Sequence, residues 1–589
     1  MAQKTKTHPR ERSDDHSTFD YQHYLERPLK VYRKYASKLF SQLARYIRTH
    51  QYNKLYMKLS SEAHLGQDPA KPSAILCLDE ARGFFDPRFP KGTGYEDRFL
   101  GFRPALRYQS KVSDSENVKR FFAILLDTSA KVADFSPPHE QDPSLKWVDP
   151  ETKKLFPPIF EIDSMDLFAG VEGGEWEELR RLILTNSGKL QYPYTLGRPL
   201  WGVILQGKGQ PARGTTRQDI EDIARVKVLG TAQDRHFITE IQGLAMLSYR
   251  INFNIIPVYD LADQLTADYL RYILDVDPSR MFIQTFQLSE PVLAMTAQRE
   301  MTRSSEIRAQ AIMSLYRNIT NGTVNVGDAG ELTAALILLF AVDTVQPVGG
   351  PRPLRLSTFL SALFPVKLVE GIQLCLKDSD SLRPLWDNGT IYFNHFVRLV
   401  EDPNENTLQN AYKRGAAIFS PTCYIGCDLI LPIYMAEEDE ISYVMIQVKN
   451  RSRDKLTQGF RNESRACVAD SARLLEQTSG CSRPRSHLGI MMSLRGQQEP
   501  DAQLIYSNKV SKDVPEENRY VYDNLEWLVI AAVGMNFAVY PGLLHPRDSV
   551  DHPGYSNQVL NILKKLLATE VEVHADGKSS YRRNLLPLH

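Results

Sequence analysis

Residues 425–450 read IGCDLILPIYMAEEDEISYVMIQVKN, and the reading of this stretch decides the fold. Two apolar runs, Asp428–Tyr434 and Ile441–Lys449, flank the acidic segment AEEDE at 436–440. Short apolar runs bounded by polar turns predict buried strands, and the turn between them predicts a hairpin. Asp428 opens the first strand. Gln447 and Lys449 are two apart in the second, so both side chains leave the same face. The hairpin brings Asp428 close to that face. Glu331 opens the apolar segment ELTAALILLFAVD, predicted to be a helix, and is a candidate to pack against the same site.

The segment after the hairpin suits a polyanion. From Lys449 to Arg465 there are six basic residues (Lys449, Arg451, Arg453, Lys455, Arg461, Arg465) against Asp454 and Glu463. Such a run is ordinarily a solvated helix face. Directly after the Gln-x-Lys strand, it is as readily a phosphate-neutralising patch. His395 in FNHF and Lys413-Arg414 in KRGAAI are further candidates for phosphate contacts. His395 is equally a candidate for a hydrogen-bonded core residue.

The N-terminal half carries a second pattern. Ala74–Leu78 runs into Asp79 and Glu80, and Phe121–Leu126 runs into Asp127 and Thr128. Unbroken apolar runs this short predict strands of a parallel sheet buried on both faces. In an NTPase the first acidic pair would be a Walker B motif, with Asp79 holding the water of a magnesium ion and Glu80 polarising the attacking water. Asp127 would stand at a sensor position, and Arg198 in LGRPLW would be a phosphate sensor. The alternative is a pair of buried strands capped by polar residues. No G-x-x-x-x-G-K-[ST] loop precedes Asp79. The partial match GVILQGKG at 202–209 puts Gly209 where the magnesium-binding hydroxyl belongs, so ATP is not an expected cofactor.

Composition narrows the partners. Across 589 residues, 71 Lys and Arg balance 71 Asp and Glu, so nucleic acid would be bound by a local patch and not by bulk basicity. Six cysteines are too few for a disulfide scaffold at this length, and Cys423 and Cys427 lack the second pair that a zinc site needs. No apolar stretch is long enough to span a bilayer, and the first residues carry no secretory signal, so an intracellular protein with no membrane partner is expected.

The expected class is α/β, divided into a tail at 1–20, a degenerate P-loop NTPase-like parallel-sheet domain at 21–245, a helical connector at 246–320, a restriction-endonuclease-like domain at 321–545, and a C-terminal helix and tail at 546–589. The strands ending in Asp79 and Asp127, LGRPLW, the helix from Glu331, KRGAAI and the hairpin together resemble the Crinkler–RHS-type proteins, which join an NTPase module to a PD-(D/E)XK-like nuclease module. The resemblance covers about 71–540. It implies a Mg²⁺- or Mn²⁺-dependent nuclease acting on nuclear DNA, with Asp428 and Glu331 as metal ligands and Asp428, Gln447, Lys449 and Glu331 as the catalytic set. It also implies that Arg451, Arg453, Lys455, Arg461 and Arg414 contact nucleic acid. Gln447 stands where the family has an acid. A non-catalytic binding or scaffold protein that keeps both folds is the alternative. The absent Walker A motif and trafficking region lead us to expect a degenerate copy or one truncated upstream.

Overall fold

The computed structural model describes residues 74–78 and 121–125 and, with internal gaps, 159–568; the longest of these gaps are 465–486 and 508–526. The chain divides into two compact units, Met1–Leu126 and Asp127–His589. In the first, β1 (Ala74–Leu78) pairs parallel with β2 (Phe121–Leu125), Ala74 opposite Phe121, as the two short apolar runs predict. Asp79, Glu80, Asp127 and the tail at 1–20 lie outside the described residues.

The second unit begins with helices α1 (Gly174–Thr185), α2 (Pro199–Gln206), α3 (Arg217–Leu229) and α4 (Glu240–Ile251). Helix α4 starts where a capping box allows it: the Thr239 hydroxyl accepts from the Gln242 N–H, and the Gln242 side chain accepts from the Thr239 N–H. The domain boundary expected at 245/246 therefore falls inside a capped helix, and the compact units divide at 126/127 instead. The physical reason is a single apolar core that runs from Tyr194 to Leu567 across the expected boundaries. The segment expected to be a helical connector also holds an antiparallel hairpin of β3 (Tyr272–Val276) and β4 (Ile283–Phe286). Its Tyr, Ile, Val and Thr residues favour a pleated surface.

Helices α5 (Pro291–Arg303), α6 (Ser305–Thr320) and α7 (Ala329–Val345) come next. Ser304 caps α6 by accepting from the Ile307 N–H. Helix α7 is buried at every position from Leu332 to Asp343, which is why it is apolar all round.

The remaining strands are β5 (Leu354–Arg355), β6 (Gly389–Ile391), β7 (His395–Arg398), β8 (Ala416–Phe419), β9 (Leu429–Met435), β10 (Glu440–Lys449), β11 (Leu488–Ser493), β12 (Asp501–Ser507) and β13 (Trp527–Val533). They form one mixed sheet in the order β12-β13-β11-β10-β9-β6-β5, with β8 also pairing β9 and β7 pairing β8. Residues 429–449 form the antiparallel β9–β10 hairpin, Leu429 opposite Ile446. Beyond it, β10, β11 and β13 run parallel. One face, with Phe419, Leu429, Val444, Ile446 and Val448, joins α7 in the main core. The other carries Ile418, Ile430, Tyr443 and Met445, packed with residues of α1 and of α8 (Glu405–Lys413). There Trp176 lies edge-on to Tyr412 at 6.0 Å and tilted on Tyr434 at 4.5 Å. A last helix, α9 (Gly554–Ala568), packs on α6 and α7.

Inside the helical layer is a buried ion pair. Arg250 of α4 grips Asp343 of α7 with both terminal nitrogens, at 2.9 and 3.3 Å. Gln298 of α5 donates to the same carboxylate at 2.9 Å. Side-chain exposure of the pair is 1% and 0%, so removing one partner strands a charge in the core. Arg250→Met is expected to destabilise the second unit by about 3–5 kcal/mol, and Arg250→Met with Asp343→Leu by much less. Urea denaturation of the two variants beside wild type checks this.

Candidate active site

The β9–β10 hairpin places Asp428 at the mouth of the sheet. Its N–H donates to the Ile446 carbonyl at 2.9 Å and its carbonyl accepts from the Ser420 N–H at 2.9 Å, so the backbone is held between β8 and β10. Carboxylate Oδ2 accepts from the Val448 N–H at 2.6 Å and from the Gln447 side-chain amide. Oδ1 receives no hydrogen bond from the described residues. Asp428, Gln447 and Lys449 share the face expected of them, since Leu429 and Val448, their neighbours in sequence, join the core on the opposite face. Burial raises the Asp428 pKa; the Val448 N–H, Lys449 and Gln447 act against it. These donors favour the charged form in a site whose burial disfavours it.

The register of the neighbouring strand adds a residue that local patterns do not reveal. Ser493 ends β11 in register with Lys449, and it is fully buried. Strands β10, β11 and β13 all end here, which is where open α/β sheets take ligands.

Glu331 lies in the first turn of α7, a helix that packs on the face that Val448 points to. A Cβ added to Gly330 would lie 3.4 Å from the Asn450 side chain and 3.7 Å from Val448, so the helix start abuts the strand end on the side away from Gln447 and Lys449. Glu331 faces Arg398 at 3.8 Å, and the Arg398 guanidinium stacks on the Phe419 ring at 4.6 Å. The helix reaches the correct end of the sheet on the opposite face, because an all-apolar helix must sit on the apolar side.

Of the expected nucleic-acid contacts, Arg451, Arg453, Lys455 and Arg461 lie outside the described residues. Arg414 is engaged within the chain: Nη1 donates to Asp166 at 2.7 Å and Nε to the Ser289 hydroxyl at 3.0 Å. Ser289 also meets His395 Nε2 at 2.8 Å, and Asn394 meets His395 Nδ1 at 2.7 Å. This bears out the core-residue alternative for His395, which is 1% exposed. Burial and the nearby Arg414 push its pKa down to about 3. Arg198 likewise binds Glu290 with two nitrogens and donates to the Leu270 carbonyl at 2.9 Å. A phosphate at Arg198 would have to displace Glu290. Cys427 is buried, with its thiol pushed up to about 12 by burial, and Cys423 lies outside the described residues.

A divalent ion would find Asp428 Oδ1 and, with the amide turned, the Gln447 carbonyl oxygen; side-chain amide orientation is interchangeable in shape. One carboxylate and one amide oxygen fit Mg²⁺, which keeps several of its waters and takes few protein ligands. Among the described residues no group of three or more His, Cys, Asp or Glu has the arrangement of a metal cage. Among them, too, no helix is long and apolar enough to cross a membrane.

Residues 235–472 match a family described as a domain of unknown function (DUF8736). The matched span runs from just before α4 to beyond β10, so it contains Glu331, Asp428, Gln447, Lys449 and the Arg250–Asp343 pair. No curated protein and no solved structure matches the chain.

These environments set two pH dependences. A carboxyl whose folded pKa is raised stabilises the fold while protonated, and that contribution is lost as pH rises through the folded pKa. Asp428→Asn is therefore expected to be at least as stable as wild type at pH 7, with the difference shrinking toward pH 4, measured by urea midpoints. A His whose pKa is depressed contributes stability above its unfolded pKa, which is lost as pH falls toward the folded one. For His395 that window runs from about 6.5 down to about 3, with a slope of about 1.4 kcal/mol per pH unit for one proton. His395→Gln is expected to show a flatter loss of stability between pH 7 and 5 than wild type.

Proposed function

We propose that the chain is a Mg²⁺- or Mn²⁺-dependent nuclease of the Crinkler–RHS type that hydrolyses phosphodiester bonds of DNA. The observation that carries this reading is the Asp428–Gln447–Lys449 constellation, three polar side chains on one face of a hairpin at the carboxyl ends of parallel strands. The order of elements supports it. Strands β8, β9 and β10 pair antiparallel in sequence and β11 then returns parallel to β10, an arrangement in keeping with a restriction-endonuclease-like core. Between them Phe460 packs on Met491, Val529 and Ala531.

A bound Mg²⁺ would supply an activated water and would polarise the phosphate. Asp428 orients the site by offering Oδ1 while the Val448 N–H fixes Oδ2. The Lys449 ammonium stabilises charge that grows on the phosphoryl oxygens. The Arg451–Arg461 segment would position the strand, with affinity falling as salt rises. The NTPase-like strands β1 and β2 belong to a regulatory module in this reading.

Purified full-length protein incubated with plasmid and single-stranded DNA in Mg²⁺ or Mn²⁺ tests the proposal. Wild type is expected to cleave, Lys449→Ala about 10²–10³-fold more slowly, as for loss of one transition-state donor, and Asp428→Ala not measurably. Absent cleavage, or cleavage equal in all three proteins, overturns it. The neutral Gln447 favours a second reading, a DNA-binding protein without catalysis. Salt-dependent DNA binding with no cleavage in either metal is its signature.

A further inference from the structure

A buried charge without an ion pair lies at the base of the β3–β4 hairpin. Arg271, one residue before β3, is 3% exposed. Its Nε donates to the Thr285 hydroxyl at 2.9 Å. Its Nη2 donates to the Phe253 carbonyl at 3.0 Å and reaches the Thr285 carbonyl at 3.4 Å. All of these acceptors are neutral. No carboxylate among the described residues comes within ion-pair distance of Arg271, and Nη1 has no hydrogen-bond partner among them. Glu290, an acid of the same region of chain, is held by two nitrogens of Arg198. The carboxyl end of α4 lies just before Phe253, and its dipole offsets at most about half a charge.

The hairpin register brings a second unanswered donor to the same face. Tyr272 pairs with Phe286 and Ile273 with Thr285. One step further along, Arg271 stands opposite Gln287. Opposed residues of an antiparallel pair project to one side, with Cβ atoms about 4.5–5.5 Å apart. The bond from Arg271 to the Thr285 hydroxyl fixes that side, since Thr285 and Gln287 are two apart along one extended segment. Gln287 is 2% exposed, and neither its Nε2 nor its Oε1 has a partner among the described residues.

Burial lowers the Arg271 pKa to about 9, with Tyr249 acting against it, so the guanidinium is still a cation at neutral pH. A buried cation is costly unless an opposite charge meets it. A water could accept from Nη1, but it would leave the charge in place. One positive charge calls for one negative charge, which favours a monoanion over a dianion. We propose that Arg271 Nη1 and the Gln287 amide bind a monovalent inorganic anion, of the chloride class, at the base of the β3–β4 hairpin. The anion accepts from the guanidinium and from Nε2–H of the amide, and it neutralises the buried charge. It also joins the hairpin to the end of α4, because Arg271 already holds the Phe253 carbonyl through Nη2. The inference does not depend on the nuclease reading.

Thermal unfolding of the full chain tests it, after dialysis into gluconate and with chloride titrated in at constant ionic strength. Binding to the native state alone raises the midpoint along a saturating curve. Wild type is expected to give such a curve. Gln287→Met keeps the length of the side chain and removes the amide, and the chloride concentration at half-saturation is expected to rise about tenfold, as for loss of one hydrogen bond to a charge. Arg271→Met is expected to show no dependence on chloride. A wild-type midpoint without a saturable response is what a bound water predicts, and it overturns the proposal. The wild-type curve reproduced in Arg271→Met or in Gln287→Met also overturns it. If Arg271→Met does not fold, Gln287→Met decides alone: a weakened curve supports the site, and an unchanged one removes it.

Discussion

The Arg250–Asp343 pair is the constraint on which the second unit is organised. Helix α7 is apolar along nearly its whole length, so amphipathic packing alone would not fix its rotation or its depth under the sheet. One carboxylate in that helix, gripped by Arg250 from α4 and Gln298 from α5, removes both freedoms. An ion pair this deep gives little net stability over an apolar pair of the same volume. What it supplies here is register. With Asp343 fixed at one end of α7, Gly330 arrives against Val448 and Asn450 at the other, and the helix start meets the end of β10. The close approach of Gly542 to Ala341, where a Cβ would come within 2.7 Å of Cα, locks the same helix from the C-terminal side.

The hairpin end shows the opposite economy. Asp428 is held in a half-buried position that raises its pKa, and the donors that act against that shift include a backbone N–H and a neighbouring amide. A structural role would not need a carboxylate there, since the Val448 N–H could be met by a carbonyl. The tension is therefore a feature of the site and not of the fold, and it is the kind of local cost that accompanies ligand binding. Arg198 and Arg414 are different. Each is matched by its own acid, Glu290 and Asp166, and each ties the 164–198 segment to the body of the unit. Their charge is already neutralised, so they act as staples.

The sequence made the hairpin legible because two short apolar runs, the acidic turn between them and an acid at the strand mouth all pointed the same way. The β1–β2 pairing and α7 were legible for the same reason: short and long apolar runs leave few alternatives. The β3–β4 hairpin was hidden because its strands are short and lie between strongly helical segments. Which face of the sheet the helix of Glu331 covers was not legible, because periodicity says nothing about which side of a sheet a fully apolar helix takes. Between residues 194 and 567 one apolar core is continuous among the described residues, so no linker composition marks a boundary there. The ion pairs Arg198–Glu290, Arg250–Asp343 and Arg414–Asp166 span from 92 to 248 positions, and no local pattern encodes contacts at that separation.

Gln447 ties the stability of the hairpin end to its chemistry. An acid at this position would sit against Asp428 with its carboxylate already disfavoured by burial, and two such charges would repel unless a cation were always present. The amide removes that repulsion and donates to Asp428, so the hairpin end is stable without an ion. Binding a divalent cation then requires only that the amide turn, exchanging its N–H contact for a carbonyl oxygen facing the ion. In the proposed reading, a site built this way would rest in a folded, hydrogen-bonded state and would take a cation weakly, through one formal charge. Phosphate oxygens would then complete the coordination, which couples occupancy by the ion to occupancy by the substrate.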